Sequence, residues 1–278
     1  MVLKIISADQ RLAEAANRNS ILLAGAPKIG KTSQLYTLDA ETTLALDFEG
    51  GFKSVQTWKG DSIEIRSFID AMFVACLIGG VDPSVGPDDF FSQNHYDAAV
   101  KEIGHLDLDK YKIIFFDSFS DLSAACFKWC KQQPDAWTID KISKQTVPNN
   151  FGLYGLLGKT LSNFARHMQH AQGKTIIFTA KLDQITDDFN RIQYQLQFDG
   201  QVIRQQLVGI VDQVISLSRF DLKDGKWSHN WDAGEHRAFC CTKINPWGLP
   251  GGNRTLGNLE TIEEPNLGEL LKKINAPA

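Results

Sequence analysis

Cysteine is scarce, at five residues in a chain of 278. The five are Cys76, Cys126, Cys130, Cys240 and Cys241, an odd number with no C-x-x-C spacing. That pattern excludes a disulfide framework and, with no further ligands spaced nearby, a structural zinc site. Five reduced, mostly structural thiols in a cytoplasmic protein are expected. A surplus of positive charge is also lacking. Lys and Arg number 29 against 33 Asp and Glu, for a formal net charge of -4. The chain is no globally basic nucleic-acid coat, so any nucleic-acid site has to be a local patch. Long apolar runs are missing too. The longest, Phe68 to Val81, is interrupted by Asp70 and two glycines and is too short to span a bilayer, so no membrane partner is expected. Residues Met1 to Asp9 have no charged segment followed by a long apolar core, so no secretory signal is expected. Internal repeats and low-complexity tracts do not occur.

What remains is an ordinary globular composition, 43% hydrophobic and 22% charged. A chain of this length buries roughly 75% of its unfolded surface and folds without a staple. Short apolar runs read as buried strands at 21–25, 43–48, 112–117, 174–179 and 211–217. Segments of helical spacing separate them, at 31–38, 68–78, 96–104, 122–132 and 153–171. Strands alternating with helices predict an α/β fold with a mainly parallel sheet. Asp82 to Asn94 and Pro134 to Gly152 read as loops. Leu182 to Gln206 is a long polar stretch between two strands, and stretches of that kind tend to be functional. Beyond residue 218 the style changes. Asp224-Gly225 signals a hairpin, a strand is expected over 236–244, and a short helix over 267–274. These read as antiparallel additions to one sheet. One domain over 1–278 is expected, with a core at about 18–220 and a C-terminal hairpin and tail at about 221–278.

The chemistry-bearing pattern is G-x-x-x-x-G-K-[ST]. Gly25, Ala26, Pro27, Lys28, Ile29, Gly30, Lys31 and Thr32 fit it, with Ser33 next. The motif follows a predicted strand and opens a predicted helix. Its glycines let backbone N–H groups converge on phosphate oxygens, and the helix points its positive end at them. Lys31 supplies a point charge for the β- and γ-phosphates, and Thr32 a hydroxyl for Mg²⁺. Asp117 ends the run Ile113-Ile-Phe-Phe, where a carboxylate emerges near such a loop to hold the metal. The alternative is an Asp that caps the following helix, a task Ser118 can take instead. Glu49 follows a strand and precedes Gly50-Gly51, a place from which a carboxylate polarises water. A simple turn-exposed acid is the other reading. Lys181 follows the strand ending at Ala180 and is read as a donor to the γ-phosphate or as a solvent-facing lysine.

The polar stretch 182–206 holds Phe189, Arg191, Tyr194, Phe198 and Arg204. Guanidinium groups and aromatic faces are what a sequence-neutral single-strand binder uses. Asp183, Asp187, Asp188 and Asp199 cancel that charge, so docking of a protein partner stays open. His167 and His170 read as a solvated face, Trp227 and Trp231 as packing residues, and Cys126 and Cys130 as core contacts.

Taken together, Gly25–Thr32, Leu44–Gly51, Tyr111–Ser118, Lys174–Lys181, Val211–Ile215 and Asn253–Leu259 resemble the RecA-type recombinase core. The likeness is to phage-encoded RecA-like ATPases of single-strand annealing and recombination. It covers roughly 20–275. The resemblance implies a RecA-like P-loop NTPase with ATP and Mg²⁺ as cofactors. It also implies Glu49 as the water-activating residue, Asp117 in the metal shell, and Lys181 where RecA itself carries glutamine. Arg191 and Arg204 fall in the part that contacts single-stranded DNA. A homo-oligomer, ring or filament, would complete the site with a basic residue from the next subunit, for which Lys243 and Arg254 are the candidates. A single-strand-binding protein is a further implied partner. Two other readings stay open: a nucleotide-gated interaction protein and a P-loop small-molecule kinase.

Overall fold

The computed structural model describes Ser7, residues 18–254 and residues 259–276. Most of the segment Met1 to Asp9, and part of the tail after Arg254, lie outside the described residues. β1 (Ser20–Gly25) runs through a loop into a 3-10 helix (Thr32–Thr37). β2 (Thr43–Asp47), β3 (Asp61–Glu64), α1 (Phe68–Gly79) and α2 (Gln93–Ile103) follow. β4 (Ile113–Asp117) leads into α3 (Phe119–Cys130). A small hairpin of β5 (Trp137–Ile139) and β6 (Thr146–Pro148) precedes α4 (Asn150–Gln169). Next come β7 (Thr175–Thr186), β8 (Ile192–Leu196), α5 (Gln201–Ile210), β9 (Gln213–Lys223), β10 (Lys226–His229) and β11 (His236–Cys240). β12 (Gly252–Asn253), β13 (Ile262–Glu263) and α6 (Leu267–Asn275) close the chain.

The main sheet has the order β13-β11-β9-β1-β7-β4-β2-β3. From β9 to β3 every neighbour is parallel. β10, β11 and β12 join β9 antiparallel, and β13 joins β11 the same way. The α/β architecture with a mainly parallel sheet and antiparallel C-terminal additions is therefore as the sequence predicts. Side chains alternate between the faces of the central strands. Leu22, Ala24, Ile114, Phe116, Ile176 and Phe178 pack with α1, α3, α4 and α5 on one face. Ile21, Leu23, Phe115, Ile177, Ile215 and Leu217 pack with Leu35 and α6 on the other. Both faces are covered, which is why these strands read as continuous apolar runs. Helices start where a short polar side chain accepts an early backbone N–H: Ser67 for α1, Ser92 for α2, Ser118 for α3, Asn149 for α4 and Asn266 for α6.

Several expectations are corrected. The segment after the glycine-rich loop is a six-residue 3-10 helix. Its core anchors, Leu35 and Leu38, are three residues apart, matching the 3-10 period. Thr37 turns its hydroxyl back onto Gln34 O at 2.7 Å, competing with a longer helix. Residues 182–206 are not structureless. β7 continues to Thr186, turns at Asp187–Asn190 and returns as β8, and α5 then buries Ile203, Leu207 and Ile210 on one face. Within 134–152 the β5–β6 hairpin replaces part of the expected loop. The strand expected over 236–244 ends at Cys240. His167 is not on a solvated face: it is buried and stacks on Phe91 with centroids 3.7 Å apart. His170 is exposed, as expected. The cysteines are all buried and free, with Cys126 Sγ and Cys130 Sγ 3.9 Å apart. Trp227 packs on Phe220 and Trp231 on Tyr194. Among the described residues, no helix is long and apolar enough to cross a membrane.

The aromatic centre of the larger core is Phe164, fully buried against Phe116, Phe119 and Phe178. Replacing it by Ala leaves a cavity that the sheet cannot close. F164A is expected to cost about 3–5 kcal/mol in urea unfolding. A loss below 1 kcal/mol contradicts this packing.

Candidate functional site

The parallel register fixes the site. Gly25 lies opposite Lys181 across β1–β7, and Asp47 opposite Asp117 across β2–β4. β1, β2 and β4 end at this level while β7 runs on to Thr186, and the crevice beyond the carboxyl ends of such strands is where α/β sheets bind ligands. Gly25 and Gly30 are required by space and conformation. A Cβ on Gly25 would stand 2.7 Å from Leu217 O, and Gly30 has φ +105°. Ile29 is buried beneath the loop, while Pro27 and Lys28 are exposed at its outer side. Because the following helix is a single short 3-10 segment, the cradle depends more on the loop's own N–H groups than on a helix dipole.

Lys31 is buried and donates to Gly25 O and Ala26 O, both at 2.9 Å. Burial pushes its ammonium down to about 8, against the pull of Asp117 and Glu49. Thr32 donates to Asp117 Oδ2 at 2.6 Å, and Thr179 donates to Asp117 Oδ1. Asp117 is 2% exposed; burial raises its carboxyl, and the two hydroxyl bonds oppose that. The Asp117–Ser118 peptide is cis. Ser118 caps α3, which leaves Asp117 free of that task. Ser33 is half-buried beside Thr32.

Glu49 sits on the loop after β2. Asp47 shapes that loop by accepting the N–H groups of Glu49, Gly50 and Gly51 at 3.1, 2.8 and 3.3 Å. The Glu49 carboxylate is not merely turn-exposed: its Oε1 lies 2.9 Å from Lys181 Nζ. Lys181 also reaches both oxygens of Asp121, at 3.1 and 3.0 Å. Burial pulls its ammonium down, but the hydrogen bonds to Glu49 and Asp121 outweigh this and leave it raised. Lys181 is thus no solvent-facing lysine.

Three contributors escape the sequence reading, and a fourth, Asp47, enters it only as an acid on the same strand face as Glu49. Thr179 carries a signal in hindsight, standing two residues before Lys181 on the same strand. Asp47 had an Asx-turn context ahead of Glu49-Gly-Gly. Asp121 stands three residues after the cap Ser118, the spacing of a reciprocal helix start. Arg237 has no local signal: β11 carries it beside the loop, where it donates to Ile29 O at 3.2 Å.

The remaining candidates lie apart. Arg191 is at the β7–β8 turn, 3.3 Å from Asp187 and 4.9 Å from the centroid of the exposed Phe189 ring. Arg204 donates to Phe198 O at 3.0 and 2.8 Å and so braces the start of α5. Arg254 pairs with Asp212 at 3.1 Å, beside the beginning of β9. Lys243 is exposed three residues past Cys240, which pairs with Ser216. Both therefore stand at the edge of the sheet away from this chain's own loop. A cavity of about 480 Å³ adjoins residues 26–29, with Asp183, Arg219 and Trp231 in its wall. A larger cavity, about 1920 Å³, opens near Asp39, Lys112 and Lys174 at the amino ends of β4 and β7, and none of residues 25–33 lines it. Lys31, Thr32, Glu49, Asp117 and Lys181 line neither cavity; they meet at the carboxyl ends of β1, β2 and β4.

A strand-ending phosphate cradle with a buried lysine, a hydroxyl and a carboxylate defines a P-loop nucleotide-binding protein. The family described as an AAA domain matches residues 17–255, and the chain belongs to it. A solved structure of the RadB recombinase is similar over 80% of this chain and 86% of that one, at 12% identity and a TM-score of 0.29. No curated protein sequence matches the chain.

The position of Lys31 sets a pH dependence. In the free protein its positive form is lost as pH rises through about 8. A bound polyphosphate favours that form, so binding takes up a proton. Affinity for a fluorescent ATP analogue is expected to be highest below pH 8 and to fall about tenfold per unit above it. A flat affinity between pH 7 and 9.5 contradicts the buried-lysine geometry.

Proposed function

We propose that this protein is a Mg²⁺-dependent, RecA-like ATPase, one domain over its length. In this reading it binds single-stranded DNA and acts in phage-type homologous recombination or single-strand annealing in the cytoplasm. The observation that carries the ATPase reading is the convergence of Lys31, Thr32, Asp117, Glu49 and Lys181 on one crevice. Thr32 and Asp117 offer hard oxygen donors without nitrogen or sulfur, which fits Mg²⁺. Thr32 and Asp117 would hold the ion, which would supply positive charge against the negative charge developing on the phosphates. The loop N–H groups cradle the phosphates, and Lys31 leaves the carbonyls of Gly25 and Ala26 for phosphate oxygens. Glu49 orients a water for in-line attack, and Lys181 donates at the γ-phosphate.

DNA binding is supported by the β7–β8 hairpin. It extends the strand that carries Lys181 and presents Phe189, Arg191 and Ile192 to solvent. Arg204 is the weaker of the two basic candidates, since folding already uses its guanidinium. The hairpin's acids keep this contact salt-sensitive and modest. Assembly as a ring or filament fits the places of Lys243 and Arg254, which reach only a neighbour's site. A single-strand-binding protein is a compatible loader. The ion pair between Glu49 and Lys181 favours a second reading, a nucleotide-gated interaction protein with little turnover, because it keeps the carboxylate occupied at rest. An arginine-rich kinase lid has less support, because Arg204 is already tied to Phe198.

The test is ATP hydrolysis with and without single-stranded DNA at two salt concentrations, beside K31A and E49Q. K31A is expected to abolish turnover and E49Q to reduce it about 100-fold or more. DNA is expected to raise the wild-type rate and salt to suppress the increase. A rate indifferent to DNA removes DNA as the activator. E49Q at the wild-type rate removes Glu49 from the chemistry.

A further inference from the structure

Asp121 has no part in the reaction described above, yet it holds a residue that does. It occupies the first turn of α3, where its N–H bonds to Ser118 Oγ at 3.3 Å and the Ser118 hydroxyl donates to its carboxylate. The carboxylate is thereby fixed to a helix start. Both of its oxygens face Lys181 Nζ, while Glu49 offers one. Lys181 is also held through its backbone, whose N–H bonds to Ser120 Oγ at 2.9 Å. Glu49 stands differently. Its side chain is 42% exposed on a glycine-flanked loop, and Lys181 is its ion-pair partner. One carboxylate partner of the ammonium is anchored, and the other is movable.

We infer that Asp121 is a positioning residue: it fixes the Lys181 ammonium at the end of β7, so that Glu49 rests on a stationary cation until a nucleotide arrives. This rests on the reading in which Glu49 orients the attacking water. The physical reason is a division of charge. Lys181 faces two carboxylates, so neither pair is saturated, and the half-exposed Glu49 side chain, whose loop backbone alone is held by Asp47, is the one free to leave. With Asp121 neutralised, the ammonium loses its charged contacts on α3. A triphosphate or Glu49 then draws it away from the place where it meets both.

A mutant cycle tests the inference. Turnover of ATP, affinity for a fluorescent ATP analogue and melting temperature are measured for wild type, D121N, D121E, K181M, D121N/K181M and E49Q. D121N is expected to lower kcat about tenfold while nucleotide affinity stays within about twofold, and D121E to restore most of the loss. In the K181M background the same D121N change is expected to cost less than about twofold, because Asp121 acts through Lys181. A wild-type kcat in D121N overturns the inference. So does an equal loss with and without Lys181, which makes Asp121 a helix-start residue only. If D121N melts below the assay temperature, D121S, whose hydroxyl still partners Ser118, carries the same comparison. E49Q separates the two levels. Wild-type turnover in E49Q removes the underlying reading, whereas a large loss in E49Q with none in D121N removes this inference alone.

Discussion

The hydroxyls of Thr32 and Thr179 both bond to the buried carboxylate of Asp117, and the site is organised around that arrangement. Three elements meet there: the segment after the glycine-rich loop, the end of β4 and the middle of β7. A carboxyl group at 2% exposure needs such partners to offset the cost of its burial. Its two acceptor oxygens therefore act as a template that aligns the loop with two strands. The parallel register extends this alignment outward, placing Asp47 beside Asp117 and Lys181 beside Gly25. The same strands bury both faces, so the rigidity of the crevice comes from the core rather than from its loops.

Around this template the charges are graded by mobility. Lys31 is buried and bonded to backbone carbonyls, and Asp121 is tied to a helix start. Glu49, on its Asp47-shaped loop, is the group with freedom to move. The cation it rests on belongs to β7, the strand that also forms the exposed hairpin. Nucleotide chemistry and any hairpin ligand are thus connected by covalent backbone rather than by a chain of loose contacts.

Much of this was legible in the sequence, for identifiable reasons. Two-sided burial writes strands as unbroken apolar runs, so β1, β2, β4, β7 and β9 were visible, and the phosphate loop announced itself through fixed spacing. Asp117 and Glu49 were legible because strand-end carboxylates stand out against apolar runs. The residues that were not legible act across long sequence distances. Arg237 reaches Ile29 only because β11 folds antiparallel onto β9, which no local pattern encodes. The 182–206 segment hid its hairpin because the apolar alternation of β8, Ile192, Tyr194 and Leu196 against Gln193 and Gln195, is short and surrounded by polar residues. Its helix α5 is missed too, because the apolar Ile203, Leu207 and Ile210 straddle the boundary between that polar stretch and the next strand. His167 was misjudged because its burial depends on Phe91, 76 residues away. The 3-10 helix was mistaken for an α-helix because two anchors three residues apart suit either form.

The length of β7 has a mechanical meaning. Its first half is clamped between β1 and β4, and from Leu182 onward its only ladder partner is β8. Lys181 stands where the clamped half ends, and the extension beyond it is braced by Tyr194, which packs on Trp231 and bonds to His229 at 3.2 Å. Five residues of extended chain beyond that point span about 17 Å before the turn. Phe189 and Arg191 ride on that turn. The hairpin is therefore an extension of the strand that carries Lys181, tied at its base to the core by the buried Leu182 and Leu196.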